Sequence, residues 1–165
     1  MKHFLGFYKQ YSNKIYNYFF YRVNFNDEVA EDLTSEVFLK AYKHFDSFDQ
    51  SQSFQAWIFS IAHNHLANYY RDSKIHFSLD QLSEAGIHFP DKTYKKIITQ
   101  SEFSHILKNL DKLPEKYKDM ILLRYIDELS YEEIAEVTGE TQNNARVIVH
   151  RGLQHLRKII NKQDD

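Results

Sequence analysis

The sequence predicts an all-α protein with two small helical domains, a helical bundle and a helix-turn-helix, joined by a flexible linker. Apolar residues recur at helical spacing over most of the 165 residues. Only four Gly and two Pro accompany 16% aromatic residues, a composition that favours long helices with large core side chains. The helical period is lost between residues 73 and 99, which divides the chain into two parts.

The overall composition limits the classes of function. A hydrophobic content of 42% supports a packed core, and 27% charged residues are typical of a soluble protein. The absence of Cys excludes disulfides and cysteine-based metal or redox sites, and fits a cytoplasmic protein. We expect neither a membrane span nor a secretory signal. With a net charge of -2, any DNA binding must come from local basic faces.

The first two helices are predicted over residues 4–24 and 27–44, with Asp27 as the cap of the second. The second helix has an inward apolar face and an acidic outer face that carries no basic residue before Lys40. This helix has more acidic residues near its start than a favourable interaction with the helix dipole would explain. The inward set is Ala30, Leu33, Val37, Phe38 and Ala41, and the acidic set is Asp27, Glu28, Glu31, Asp32 and Glu36.

This acidic face has three interpretations: a solvated surface, a docking surface for a basic partner, or a divalent-metal site. The metal alternative rests on Glu28 and Asp32, which are one helical turn apart, but no His joins them. His63 and His65 point about 200° apart on a helix and cannot chelate one ion together. We therefore expect no metal and no cofactor.

A third helix is predicted over residues 54–71, capped by Ser53, and it contains no acid. Its inward face includes Trp57, which we interpret as a core residue. Exposed amides without carboxylates suit contact with a polyanion, and Asn can read the edge of an unpaired base. The candidate nucleic-acid residues on the outer face are His63, Asn64, Asn68 and Arg71.

After the linker, which contains Gly86 and Pro90, helical spacing resumes near Phe103. Pro114 suits the first position of the following helix. The domains are thus predicted as residues 1–72 and 100–165, separated by a linker over residues 73–99.

The segment 130–158 predicts two helices joined by a tight turn. Ser130 and Glu133 form a capping-box pattern, Gly139 suits a left-handed helix end, and Thr141 can cap the next helix. That next helix, residues 142–160, is predicted to bury a stripe of apolar residues. The stripe consists of Ala145, Val149, Gly152, Leu153, Leu156 and Ile160.

The second helix of this pair has no acidic residue from Thr141 to Gln163, whereas the short helix before it has three Glu and no basic residue. A helix-turn-helix places such a second helix in the major groove, where its first polar side chains meet base edges. An ordinary helical hairpin with a basic outer face is the alternative. The candidate DNA-contacting residues are Gln142, Asn143, Asn144, Arg146, Val147, His150 and Arg151.

Two blocks of sequence resemble the extracytoplasmic-function group of bacterial sigma factors. AEDLTSEVFLKAYKHFDSF (30–48) and FQAWIFSIAHNHLANYYR (54–71) are similar to the family's sigma-two domain. Residues 113–158, from LPEKYKDMILLRY to HRGLQHLRK, are similar to its sigma-four domain. The blocks cover nearly the whole chain in the family's order.

The resemblance implies a non-enzymatic specificity subunit that binds core RNA polymerase and promoter DNA, and that an anti-sigma factor often controls. Asn64 is in line with a residue that contacts a flipped base of the minus-ten element, and Arg146 and Arg151 align with positions that contact the minus-thirty-five element. The acidic helix would dock on a basic coiled coil of the polymerase. The residues implied in docking are Glu28, Glu31, Asp32, Leu33, Glu36 and Lys40.

Some positions depart from the family's pattern. Ser35 stands where the family commonly has Gln. Ser60 and Asp72 stand where it commonly has basic residues. Val147 and Ile148 occupy places often held by Ser and Arg. With one fewer Arg, binding to DNA phosphates should be weaker, and Val147, if it faces outward, could contact the methyl group of a thymine. Two alternatives remain: a dimeric helix-turn-helix regulator that binds duplex DNA alone, and a metal-dependent nuclease that uses the acidic helix.

Overall fold

The computed structural model describes residues 2–80 and 101–162, and every regular element in these ranges is helical. The all-α prediction is therefore confirmed. The chain divides into two compact units, residues 1–91 and 92–165. The helices are α1 (Lys2–Phe20), α2 (Asp27–His44), α3 (Phe54–Asp80), α4 (Ser101–Leu110), α5 (Glu115–Tyr125), α6 (Tyr131–Thr138) and α7 (Gln142–Asn161), with a short 3-10 turn at Phe45–Ser47.

The first unit packs α1 against α2 and α3. Its centre is aromatic: Tyr18, Phe19 and Phe59 are fully buried, and the Tyr18 and Phe59 rings meet edge to face at 5.5 Å. Leu5 and Tyr8 fall at helical spacing with the buried residues of α1, but they are about half exposed. They lie near the amino end of α1, and the deepest positions of this helix fall further along it.

The start of α2 corrects one capping assignment. Asn26, not Asp27, is the N-cap, and its side-chain oxygen accepts a hydrogen bond from the Val29 amide at 3.1 Å. The Asp27 carboxylate accepts a hydrogen bond from the Tyr16 hydroxyl instead. Adjacent Asn and Asp are equally good caps in isolation, so the contact with α1 decides which of them caps the helix.

Helix α3 is longer than its periodicity predicted. Ser53 caps it as expected, with its hydroxyl accepting from the Ala56 amide at 3.2 Å. The helix passes the predicted end at Arg71 and reaches Asp80, because no Gly or Pro interrupts the backbone before that point. Residues 73–80, assigned to the linker from sequence, are therefore helical. Residues 81–100, the rest of that predicted linker and its boundary, lie outside the described residues.

The second unit is built around α7, which packs on α4, α5 and α6. Leu122, Leu129, Ile134 and Val149 fill its interior with at most 1% exposure. Pro114 is the N-cap residue of α5 and not its first helical residue. Its carbonyl accepts hydrogen bonds from the Tyr117 and Lys118 amides.

The turn between α6 and α7 follows the sequence prediction closely. Ser130 and Glu133 form both bonds of the capping box, at 3.1 and 2.9 Å. Gly139 is left-handed, with φ of 74°, a conformation that would strain a residue with a Cβ. Thr141 accepts a hydrogen bond from the Asn144 amide at 3.1 Å and so starts α7. These three local devices fix the angle at which α7 leaves α6.

Of the helices described, none combines the length and the hydropathy that crossing a membrane requires.

Candidate nucleic-acid interfaces and docking surface

Helix α7 has two distinct faces. Ala145, Ile148 and Val149 are buried, while the first turn and the opposite side are open to solvent. Val147, which departs from the family pattern, is 44% exposed, whereas Ile148 beside it is 7% exposed. All seven residues predicted to contact the minus-thirty-five element are exposed: Gln142, Asn143, Asn144, Arg146, Val147, His150 and Arg151. We call this set the α7 face.

Asn144 on the α7 face is held by a contact that the sequence did not reveal. Its side-chain amide donates to one carboxylate oxygen of Glu140, and the Lys116 ammonium lies 2.6 Å from the other oxygen. These two donors, Lys116 first, hold the pKa of Glu140 below its ordinary value. Glu140 therefore links α5 to the start of α7 and orients the amide of Asn144.

Arg146 is positioned by an aromatic ring. Its guanidinium carbon lies 5.3 Å from the centre of the Tyr131 ring, and that of Arg124 lies 5.2 Å from it. Arg124 also donates to the Leu129 carbonyl at 3.1 Å, so it is held from two sides. A ring near two cations is favourable because the π face carries negative charge. Sequence reasoning missed Tyr131, although a large aromatic residue immediately after a helix cap was an available signal.

The outer face of α3 carries the residues predicted to contact the minus-ten element. Asn64, Asn68 and Arg71 are exposed, and the Arg71 side chain is 69% exposed with its Nε 3.6 Å from Asp72. His63 is half-buried, and its Nδ1 lies 3.3 Å from the Tyr18 hydroxyl of α1. We call these four residues the α3 face. Three of its members are accessible to a ligand, and His63 also contacts the interior.

The acidic face of α2 is also exposed. Glu28, Glu31, Asp32 and Glu36 lie at its surface, together with Lys40. Leu33 differs from them because it is 5% exposed and belongs to the core, so it can support this surface only from below. We call the five exposed residues the α2 face.

Two members of the α2 face contact α3. The Glu36 carboxylate lies 2.6 Å from Nε2 of His65, and the Lys40 ammonium lies 2.7 Å from Nδ1 of the same ring. From its spacing, His65 had no assigned role beyond being unable to chelate an ion together with His63. It is in fact 9% exposed, and its partners are distant in sequence, which is why spacing did not identify it.

Within residues 2–80 and 101–162, no group of three or more His, Asp or Glu side chains is arranged to hold a metal ion.

Comparison with known proteins matches the two units separately. The family model of Sigma-70 region 2 matches residues 7–75, and that of Sigma-70 region 4 matches residues 106–156. The chain is 35% identical over 161 residues to the ECF RNA polymerase sigma factor SigW of Bacillus subtilis, covering 90% of this chain and 83% of SigW. It is 32% identical to the RNA polymerase sigma factor YlaC of the same organism, covering 94% of this chain and 90% of YlaC.

Solved structures agree in fold. The sigma factor RpoE of Bartonella quintana, determined in complex with the anti-sigma factor NepR, matches with a TM-score of 0.77 at 20% identity, over 98% of both chains. CnrH, determined in complex with the cytosolic domain of CnrY, matches with a TM-score of 0.70 at 18% identity, over 96% of this chain and 88% of CnrH.

Proposed function

Since this chain belongs to the extracytoplasmic-function family of RNA polymerase sigma factors and serves promoter-specific transcription initiation, we propose a specific role for each of its three exposed faces. The α7 face reads the minus-thirty-five element, the α3 face reads the minus-ten element, and the α2 face docks on core RNA polymerase. The chain acts in the cytoplasm as a dissociable subunit without catalytic activity or cofactor of its own. Its functional domains are residues 1–72 and 100–165, joined by residues 73–99, of which residues 73–80 continue α3.

The observation that carries this proposal is the segregation of side chains around α7. The buried stripe of Ala145 and Val149 fixes which side of the helix meets the core, and the α7 face occupies the other side. A helix with this arrangement can enter a major groove, where Arg146 or Arg151 can bind guanine and Asn or Gln can bind adenine. Val147, at 44% exposure, adds an apolar surface suited to a thymine methyl.

The α3 face suits unpaired bases. Its exposed amides can hydrogen-bond to the edge of a base, and the helix carries no acid before Asp72 to repel the phosphates. Taking one base out of the stack costs a few kcal/mol, which contacts to the flipped base offset. Asn64 is central to this face, and we propose that it makes the contact with the flipped base.

The α2 face suits a basic partner. Four carboxylates on one exposed helical surface provide charge complementarity, which promotes encounter and discriminates between partners. The solved relatives were determined with an anti-sigma factor or with the cytosolic domain of CnrY. An anti-sigma factor is accordingly a candidate regulator of this chain as well.

The test is run-off transcription with purified core polymerase on genomic templates. We expect the added chain to create new start sites that share two promoter elements. Asp32→Lys should weaken binding to core polymerase, because it reverses one charge of the α2 face. The matched control is Glu136→Lys, the same charge change at an exposed position of α6. Unchanged start sites, or equal core affinity for the two variants, would refute the proposal. Tight sequence-specific binding by a dimer without polymerase would favour a stand-alone regulator.

A further inference from the structure

The imidazole of His65 connects helices α1, α2 and α3. It extends from α3, contacts Glu36 and Lys40 of α2, and meets the Phe19 ring of α1 edge to face at 6.4 Å. An ammonium group only donates hydrogen bonds, so Nδ1 of His65 accepts from Lys40. The ring proton is then on Nε2, the atom that lies 2.6 Å from a Glu36 carboxylate oxygen.

This arrangement determines where the two charged groups of α2 lie. Glu36 and Lys40 are four residues apart, in the order and spacing at which Glu and Lys pair directly on a helix surface. In this chain each charged group instead contacts the imidazole between them. Without the ring, the direct pair would form and would neutralise a carboxylate of the α2 face. His65 therefore keeps Glu36 in one position while 58% of its side chain remains exposed.

The same ring fixes the part of α3 that contains Asn64. The residue before Asn64, His63, contacts Tyr18 of α1, and the residue after it, His65, contacts α2. Asn64 is exposed between these two attached residues. Rotation of α3 about its axis would break both contacts, so they hold Asn64 in one orientation.

We propose that His65 is a positioning residue that presents Glu36 to core polymerase and orients Asn64 toward the minus-ten element. This inference rests on the proposed function. His65 itself touches neither the polymerase nor the DNA. It acts through two polar contacts to α2, a hydrogen bond with Lys40 and a 2.6 Å contact with the Glu36 carboxylate, and a side chain that reproduces those contacts should replace it.

The experiment compares His65→Leu with His65→Gln in the full chain. Leu fills a similar volume but makes neither polar contact, whereas the Gln amide can accept from Lys40 and donate to Glu36. Three quantities are measured: affinity for core polymerase, affinity of the saturated holoenzyme for a single-stranded minus-ten oligonucleotide from a mapped promoter, and the melting temperature. His65→Leu should weaken each binding step about fivefold, the upper range for a contact with an exposed charge. His65→Gln should stay within about twofold of wild type.

A third variant identifies the partner through which His65 acts. In a Glu36→Ala background, His65→Leu should cause no further loss of core affinity, because the carboxylate that it positions is gone. Binding by His65→Leu equal to that of wild type would overturn the inference, as would a His65→Gln defect equal to that of Leu or additive losses in the Glu36→Ala background. Failure of the wild-type chain to bind core polymerase would instead refute the proposed function itself.

Discussion

Gly152 of α7 lies against α5 with little clearance, so a single methyl group tests the packing of the second unit. A Cβ at this position would lie 3.0 Å from Cδ1 of Ile121 and 3.2 Å from Cβ of Tyr117. Carbon atoms in favourable contact are about 3.5–4.0 Å apart, so α5 must yield by several tenths of an ångström. The Ile121 methyl can rotate away, but Cβ of Tyr117 moves only with its backbone.

Two opposing terms set the effect of Gly152→Ala. Replacing Gly by Ala within a helix stabilises by about 0.5–1 kcal/mol, whereas overpacking costs about 1–3 kcal/mol. We expect a net loss of about 1 kcal/mol, which in a unit of this size lowers the melting temperature by about 4–8 °C. Gly152→Val gains less helix propensity than Gly152→Ala and adds two more methyl groups, so its loss should be larger, about 3 kcal/mol.

The assay must distinguish the two units, and the single Trp makes this simple. Trp57 belongs to α3, so its fluorescence follows unfolding of the first unit and should not change in the Gly152 variants. Hydrogen exchange of the α7 amides follows the second unit. The control is Gly6→Ala in α1, where a Cβ would meet no atom within 4 Å, and we expect this change to stabilise. If Gly152→Ala slowed exchange of the α7 amides, the packing argument would be wrong.

Three further predictions concern the second unit. Arg146→Ala should weaken binding to the correct promoter by about 1–3 kcal/mol if Arg146 reads a guanine, and equal loss on all duplexes in a gel-shift series would show a phosphate contact instead. Ser130→Ala should lower the stability of the second unit by about 1 kcal/mol, because the Glu133 amide loses its hydrogen-bond acceptor. Hydrogen exchange of the α6 amides measures this loss, and Ser47→Ala in the first unit is the control. Because the pKa of Glu140 is lower in the folded than in the unfolded chain, this group stabilises the folded state above its unfolded pKa. That stability is lost as the pH falls through the folded pKa. Between about pH 5 and pH 3, the unfolding midpoint of wild type should therefore fall more than that of Glu140→Gln.

Features fixed by neighbours in sequence were predicted well. The Ser130–Glu133 capping box, the left-handed Gly139 and the Thr141 cap each depend on a few adjacent residues, and all three are present. The exposure of the α7 face followed from helical spacing once Ala145 and Val149 were placed inward.

Features that depend on contacts between helices were not predictable in this way. Asn26 replaces Asp27 as a cap because Tyr16 of α1 binds the Asp27 carboxylate. Tyr131 and His65 orient candidate functional residues through contacts with side chains on other helices, which a linear pattern does not encode. The end of α3 was missed for another reason: residues 73–80 contain no stop signal, and periodicity alone sets no end.

The two units each enclose an interior of their own, centred on Tyr18 and Phe59 in one and on Leu122 and Val149 in the other. Because each unit has an interior of its own, natural selection can alter one DNA-reading unit without unfolding the other. New regulatory circuits can then arise by recombination between paralogous genes, with a crossover in the intervening segment that exchanges one half of the promoter preference at a time.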